Sequence, residues 1–345
     1  MKNKTLLPKI TLAVPMLLCV IGLTSCSGAL ETKVHEITES FTDITVNANT
    51  ANVTVAPTDG DCLVECIEKK NVRHEVSVID GELKIEFVDN RKFYEKIFGS
   101  GKADITLYLP KADYNSIALF TDTGHIKLSD NSFNSVAINT STGEIDLEGV
   151  KTKDGLIVTV DTGDVELKKC EAASISVETD TGDINFEEIS CNSLTAESNT
   201  GEMEIEQATV TGKLNAINDT GHVYLDDCKA NELAVSTDTG RVNIDSISCT
   251  LLGVKVSTAN VLLENVIAEG KFDITSTTGD ITFDRCDAAS VFVTTSTGDI
   301  EGSFLTDKII FADTSTGKVD IPKLTSGGKC EITTSTGDIK ISIEK

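Results

Sequence analysis

From residue 120 onward one three-residue phrase returns at a fixed interval, and it limits the chain to folds built by repetition. It reads Asp122-Thr123-Gly124, Ser141-Thr142-Gly143, Asp161-Thr162-Gly163, Asp180-Thr181-Gly182, Asn199-Thr200-Gly201, Asp219-Thr220-Gly221 and Asp238-Thr239-Gly240. It continues through a degenerate Thr258-Ala259-Asn260 to Thr277-Thr278-Gly279, Ser296-Thr297-Gly298, Ser315-Thr316-Gly317 and Ser335-Thr336-Gly337. With Asn260 standing in once, successive glycine positions are 19 or 20 residues apart through all twelve copies. A period of this length marks a solenoid or a related array.

Each copy has the same internal order. A short alternating run precedes the turn (Ile175-Ser176-Val177-Glu178-Thr179) and another follows it (Asp183-Ile184-Asn185-Phe186). Period-two alternation sends Ile175, Val177, Ile184 and Phe186 to one face and their polar neighbours to the other. The glycine implies a positive φ at the turn, and Asn is the next most tolerant residue there. One unit cannot bury its apolar face alone, whereas stacked coils share a core. Twelve coils at a spacing of about 4.8 Å give a body roughly 50 Å long. The expected fold is therefore all-β: a parallel β-solenoid, right-handed, over 116–345, with stacked β-sandwich-like modules as the alternative.

The stretch 41–115 is less regular and reads as an N-terminal β-rich cap. Thr50-Ala51-Asn52-Val53 echoes Thr258-Ala259-Asn260-Val261, and Asp80-Gly81 between Val76–Ile79 and Leu83–Phe87 reads as a hairpin turn. No capping sequence follows Ile341-Ser342-Ile343, so an open edge available to a partner is expected there.

The first residues give an address. Lys2, Lys4 and Lys9 precede an apolar run from Ile10 to Leu23, ending in Leu23-Thr24-Ser25-Cys26. Residues 1–25 read as a lipoprotein signal peptide, Cys26 as the lipidated first residue of the mature chain, and 26–40 as a tether. The chain is thus expected to be exported and anchored by lipid at the bacterial cell envelope, facing away from the cytoplasm. The whole chain has 30 Lys+Arg and 55 Asp+Glu; losing three lysines and no acid with residues 1–25 leaves 27 against 55. Such a charge excludes nucleic acid as a partner, and the absence of Trp disfavours stacking platforms for sugars or bases.

Together, the export signal, the strand-rich start and the recurring Ser/Asp-Thr-Gly-Asp-Ile phrase resemble the toastrack-type adhesin family of bacterial envelope proteins, over roughly residues 40 to 345. The resemblance implies a β-strand-repeat body and a role at the envelope, in adhesion, scaffolding or the response to envelope stress. That family offers no catalytic motif, so no residue role is carried over from it.

Asp-Thr-Gly also occurs in aspartic proteases, but here it appears five times in a position shared with Ser-Thr-Gly and Asn-Thr-Gly, which a turn explains. Stacking of Asp161, Asp164, Asp180, Asp183, Asp219 and Asp238 between coils makes a candidate cation ladder suited to Ca²⁺. The simpler reading is that these side chains accept hydrogen bonds from turn amides. Cys170, Cys228 and Cys286 are 58 residues apart, as are Cys191 and Cys249. Three coils separate such pairs by about 14 Å, too far for a disulfide, so they read as small buried residues at return corners. Cys62 and Cys66 leave a disulfide open. His35, His74, His125 and His222 show no zinc-ligand spacing with cysteine. Arg91, Lys92, Phe93, Tyr94, Lys96 and Phe98 form a basic, aromatic segment, a candidate interaction tip for a membrane surface or partner. The leading reading is a non-enzymatic envelope module that binds an envelope or surface protein or glycan. The alternatives are a β-helix carbohydrate-active enzyme of lyase type and a Ca²⁺-stabilised spacer.

Overall fold

Alternation decides where each side chain goes. In Glu171–Thr181, Ile175, Val177 and Thr179 are buried while Ser174, Ser176 and Glu178 face out; in Ile184–Glu187, Ile184 and Phe186 are buried. The computed structural model describes residues 30–69, 71–91 and 103–344, and the regular elements among them are strands. Every coil adds a short strand to one parallel sheet, A, and a long strand to a second, B. The same position stacks on itself from coil to coil. Ile175, Leu194, Leu214, Leu233, Leu252, Phe272 and Val291 form one row in sheet B. Ile145, Val165, Ile184, Met203, Val223, Val242, Val261 and Ile281 form a row in sheet A. Burying each such side chain contributes at most about 1.5–3 kcal/mol, and the sum is available only to the stack. The fold is the expected parallel β-solenoid.

Two corners join the sheets. At the phrase, Gly182 has φ +151°. A Cβ built on it would lie 2.0 Å from Gly163 O of the preceding coil. The glycine therefore answers to conformation and to close approach of the neighbouring backbone together. The degenerate copy is in a different register from the one its sequence suggests. Ala259, not Asn260, occupies the glycine position, since Ala259 N donates to Thr278 O and Gly279 lies against Ala259 O. The junction loosens there: Gly240 N to Thr258 O is 3.4 Å, against 2.8–3.1 Å at the other turn glycines.

The return corner holds a second row of positive φ, at Asp130, Gly149, Lys169, Glu188, Gln207, Asp227, Ser246, Asn265 and Arg285. The next residue points inward, as Val150, Cys170, Ile189, Ala208, Cys228, Ile247, Val266 and Cys286 do. Three of the regularly spaced cysteines sit at this position, while Cys191 and Cys249 are buried two residues further on, within Ser190–Thr200 and Ser248–Thr258. Cys170, Cys228 and Cys286 are buried, and each Sγ donates to backbone carbonyl oxygens at 3.2–3.6 Å.

At the N-terminal end, β1 (Glu31–Ile37), β2 (Asp43–Asn49), β3 (Ala51–Thr58), β4 (Cys62–Glu68), β5 (Val72–Ile79), β6 (Glu82–Asp89) and β7 (Ala103–Pro110) precede the first regular coil, β8 (Asp113–Thr123) and β9 (Ile126–Ser129). Within the stretch read as a cap, β2 and β3 already form a coil, parallel to β8 and β9, with Ala51-Asn52 at its turn. Beyond that coil, sheet A continues through β7, β4 and β1, the last two antiparallel, and sheet B through β6 and β5. Seven residues of the expected tether, Glu31–Ile37, thus form the edge strand of sheet A, and alternation turns His35 and Ile37 inward. Asp80 and Gly81, with φ of +52° and +82°, make the expected hairpin turn between β5 and β6.

At the other end the order in space departs from the order in sequence. The last long strand, Gly328–Thr336, lies between Ile281–Thr297 and Lys308–Thr316. The final strand, Ile339–Ile343, pairs with Ile300–Phe304 on one side and with Val319–Asp320 on the other. The outermost coil is therefore 308–320, and the open edge of sheet B belongs to Lys308–Thr316 rather than to the chain end. Lys308 points inward there, its ammonium bonded to Asp287 and, at 2.6 Å, to Thr306 Oγ1. An inward charge at a sheet edge opposes further strand addition.

Candidate functional site

The turn aspartates hold the coils to each other. Asp164 Oδ1 accepts from Asp183 N at 2.9 Å, and Asp183 Oδ1 from Glu202 N at 2.7 Å. Asn52, Asn260 and, through Nδ1, His125 and His222 do the same one residue after the turn. Each acceptor atom is close enough to its own backbone to reach the amide of the next coil. Asp180 accepts from Asn199 Nδ2 and Asp238 from Ser257 Oγ, both at 2.9 Å, while Asp161 and Asp219 are exposed at the same position. Hydrogen bonding between coils thus accounts for Asp164, Asp180, Asp183 and Asp238.

An unbroken column of carboxylates lies elsewhere. Glu187, Glu206, Asp226, Asp245, Glu264 and Asp284 are in register in consecutive coils on the outer face of sheet A. Two charges one coil apart repel by about 1 kcal/mol even in water. Glu206 is held above the usual carboxylate range, by partial burial and by Glu204, with Asp226 and Glu187 adding. With Glu204, Tyr224 and Asn243, part of this column lines a shallow groove of about 240 Å³. Every member stands five residues after its turn residue (Gly182 to Glu187, Gly201 to Glu206), a signal present in the sequence.

The outer face of sheet B is different. Phe120, Ile157, Leu251 and Phe311 are exposed on it, Phe311 by 60%. Asp273, Phe292, Glu331 and Phe311 are neighbours across its C-terminal end. Lys271 and Lys329 sit over the Phe292 ring at 4.6 and 5.2 Å from its centroid. The outer face of sheet A thus carries the carboxylate column, and that of sheet B carries exposed apolar and aromatic groups among charges of both signs.

The third constellation is inside the N-terminal end. β4 turns Cys62, Val64, Cys66 and Glu68 inward, β5 turns His74 inward, and β1 places Lys33 and His35 opposite Cys66 and Val64. Cys66, Glu68 and His74 are buried, with one ligand atom of each within 4.8 Å of the others. Glu68 forms an ion pair with Lys33, and its Oε2 accepts from His74 N at 2.7 Å. Burial pushes its pKa up, but the bonds from His74 and Lys33 together bring it below the ordinary value. His74 Nδ1 lies 3.6 Å from Glu68 Oε2, beyond hydrogen bonding, and both ring nitrogens of His74 and of His35 are buried without a hydrogen-bond partner. Burial lowers the pKa of His35, and Lys33 lowers it further against the pull of Glu68. It pushes the Cys66 thiol up to about 12. A pocket of about 380 Å³, lined by Lys33, His35, Arg73 and His74, opens onto this cluster.

Spacing along the chain had separated the histidines from the cysteines; the close approach of β4 and β5 at this end brings Cys66 and His74 together. The disulfide left open for Cys62 and Cys66 is not formed. Both lie on one strand, and four residues of strand span about 13 Å, too far for a bridge. In the candidate tip, Arg91 is hydrogen-bonded through its guanidinium to Asp89; Lys92, Phe93, Tyr94, Lys96 and Phe98 lie outside the described residues, as does Cys26.

A family model described as Toastrack DUF4097 matches residues 41–226 and 213–342. None of the curated proteins matches the chain. Among solved structures, the chain is similar to a "putative adhesin" from Bacteroides fragilis at 14% identity, over 92% of this chain and 98% of that one, with a TM-score of 0.28. A "putative lipid binding protein" from Parabacteroides distasonis is 14% identical over 91% and 98%, with a TM-score of 0.34. A "putative adhesin" from Parabacteroides merdae is 12% identical over 90% and 96%, with a TM-score of 0.29.

Proposed function

The chain belongs to the Toastrack DUF4097 family, and from that premise we propose that it is a non-enzymatic interaction module of the bacterial cell envelope. In this reading it is anchored by lipid on Cys26, and it engages an envelope or surface protein or glycan through the outer face of sheet B. The observation that carries the reading is the set of exposed apolar side chains on that face. Exposed Phe120, Ile157, Leu251 and Phe311 share one face, while the opposite face holds the carboxylate column. Phe292 and Phe311, grouped with Lys271 and Lys329 at the C-terminal end of this face, make the kind of apolar cluster that marks a contact site. The coil-to-coil hydrogen bonds keep such a face rigid, so little order has to be gained on binding.

The test is crosslinking in intact cells followed by affinity capture of wild type, Phe311→Asp and Ile157→Asp. Loss of the captured partner from the two variants supports the reading; equal recovery from all three overturns it. Cys26→Ser tests the anchor separately, by release of the protein from the membrane fraction and loss of incorporated radiolabelled fatty acid.

A second reading, a Ca²⁺-stabilised spacer, is favoured by the column itself, where oxygen ligands recur in successive coils. It requires Ca²⁺ to raise the melting temperature of the wild type and not of Glu206→Gln/Asp226→Asn.

A further inference from the structure

We propose that Cys66, Glu68 and His74 form a binding site for a divalent transition metal, Zn²⁺ by chemistry, inside the N-terminal end of the solenoid. Three kinds of donor meet there: a thiol, a carboxylate and an imidazole, each buried, with one ligand atom apiece within 4.8 Å of the others. A tetrahedral Zn²⁺ with bonds of about 2.0–2.3 Å sets its ligand atoms roughly 3.3–3.8 Å apart. The 3.6 Å between Glu68 Oε2 and His74 Nδ1 falls in that range. At that distance the two atoms are too far apart to bond each other and close enough to share an ion.

The second, independent observation is the imidazole itself. His74 is 3% exposed, and neither ring nitrogen has a hydrogen-bond partner. A buried polar group left without a partner costs about 1–3 kcal/mol, and coordination through Nδ1 would remove that cost for one of the two nitrogens.

The surroundings suit an ion in this place. Glu68 Oε1 faces Lys33 and Oε2 faces His74, so the carboxylate is oriented as a one-oxygen ligand whose outer oxygen is held by a cation. Such outer partners commonly fix metal ligands. On binding, Cys66 loses its proton to solvent; thiolate and carboxylate then balance the two positive charges of the metal, and Lys33 keeps its partly exposed charge. Buried His35, which lines the adjacent pocket together with His74, has two ring nitrogens without hydrogen-bond partners. A mixed sulfur, nitrogen and oxygen set selects Zn²⁺ over Ca²⁺ or Mg²⁺, which take oxygen alone. The carboxylate column on sheet A is chemically distinct from this site.

The test uses the full chain purified in detergent under reducing conditions and stripped with chelator. Zn²⁺ is titrated against a chromophoric chelator, and Co²⁺ is then used as a spectroscopic probe. The expected result is one equivalent of bound metal, with a near-ultraviolet thiolate-to-Co²⁺ charge-transfer band. Cys66→Ser and His74→Gln should each weaken binding by at least ~10-fold and abolish or shift the band, while Cys62→Ala and Cys170→Ala bind as wild type. Absence of stoichiometric binding overturns the proposal, as does a Co²⁺ spectrum without the band. Should a variant fail to fold, the spectrum of the unaltered chain still decides.

Discussion

Replacing Gly182 by alanine places a Cβ 2.0 Å from Gly163 O and 2.5 Å from the carbonyl carbon, where real Cβ contacts stay beyond 3.0 Å. Two ways out exist, and each is costly. The backbone can keep its φ of +151°, a region nearly closed to side chains, at about 1–3 kcal/mol. Relief of the clash then needs the coils to part by about 1 Å, and overpacking of this kind costs about 1–3 kcal/mol. Alternatively the turn can change conformation and weaken the bonds from Gly163 N to Thr181 O (2.8 Å) and from Gly182 N to Thr200 O (2.9 Å). The expected loss is about 2–4 kcal/mol, read as a shift in the urea midpoint at unchanged slope. Hydrogen exchange should quicken first at the amides of Gly182, Asp183 and Ile184. Ala259 is the internal control. It does not adopt a positive φ, and its coil already carries the 3.4 Å bond, so Ala259→Gly should change stability by less than about 1 kcal/mol. Should Gly182→Ala unfold within about 0.5 kcal/mol of wild type, close approach of the coils does not explain the glycines.

The return corner and the ionisable groups yield three more. Lys169 has φ +53°, so Lys169→Gly should stabilise the protein by about 0.5–1 kcal/mol; the exposed contact it loses, 3.7 Å to Glu188, is worth little. Glu206→Gln removes a carboxylate whose pKa is raised among like charges. An acid with a raised folded pKa destabilises the fold above that pKa, so the variant should be more stable at neutral pH, by less than about 1 kcal/mol, with the gain vanishing as the medium is acidified through the carboxylate range. The folded pKa of His35 lies below 6.5; its neutral form is favoured in the native state, and stability falls as pH drops from 6.5 through the folded value. His35→Leu should flatten that part of the profile when urea midpoints are compared at successive pH values.

How much of this was legible follows from what each feature demands of the side chain. The turn row could be read because Gly recurs at the position squeezed by the adjacent backbone, with Ala51 and Ala259 the exceptions, and the alternation of Ile175, Val177, Ile184 and Phe186 fixed the buried face. The return corner could not be read, since Lys169, Glu188, Gln207, Asp227 and Arg285 all tolerate positive φ when hydrogen bonds on both sides impose it. The shift from Asn260 to Ala259 was hidden because both spacings, 19 then 20 or 20 then 19, satisfy the period. Reading Asn260 one place along the turn shows why it is Asn: its Oδ1 takes the amide of Asp280. The carboxylate column was legible in principle at the fifth residue after each turn, but Glu264 stands four residues after Asn260 and so breaks the series until the turn is placed at Ala259. The meeting of Cys66 and Glu68 with His74 was not, because it depends on how β4 and β5 close the end of the stack.

The central claim, that the outer face of sheet B is the contact face, is tested most directly by a photoactivatable residue placed in living cells. Substituted one at a time at Phe120, Ile157, Leu251 and Phe311, it should give a discrete adduct from at least one position. At Asn185, Glu206 and Asp245 on sheet A it should give none. Adducts confined to the sheet A positions, or none from either face, would contradict the account.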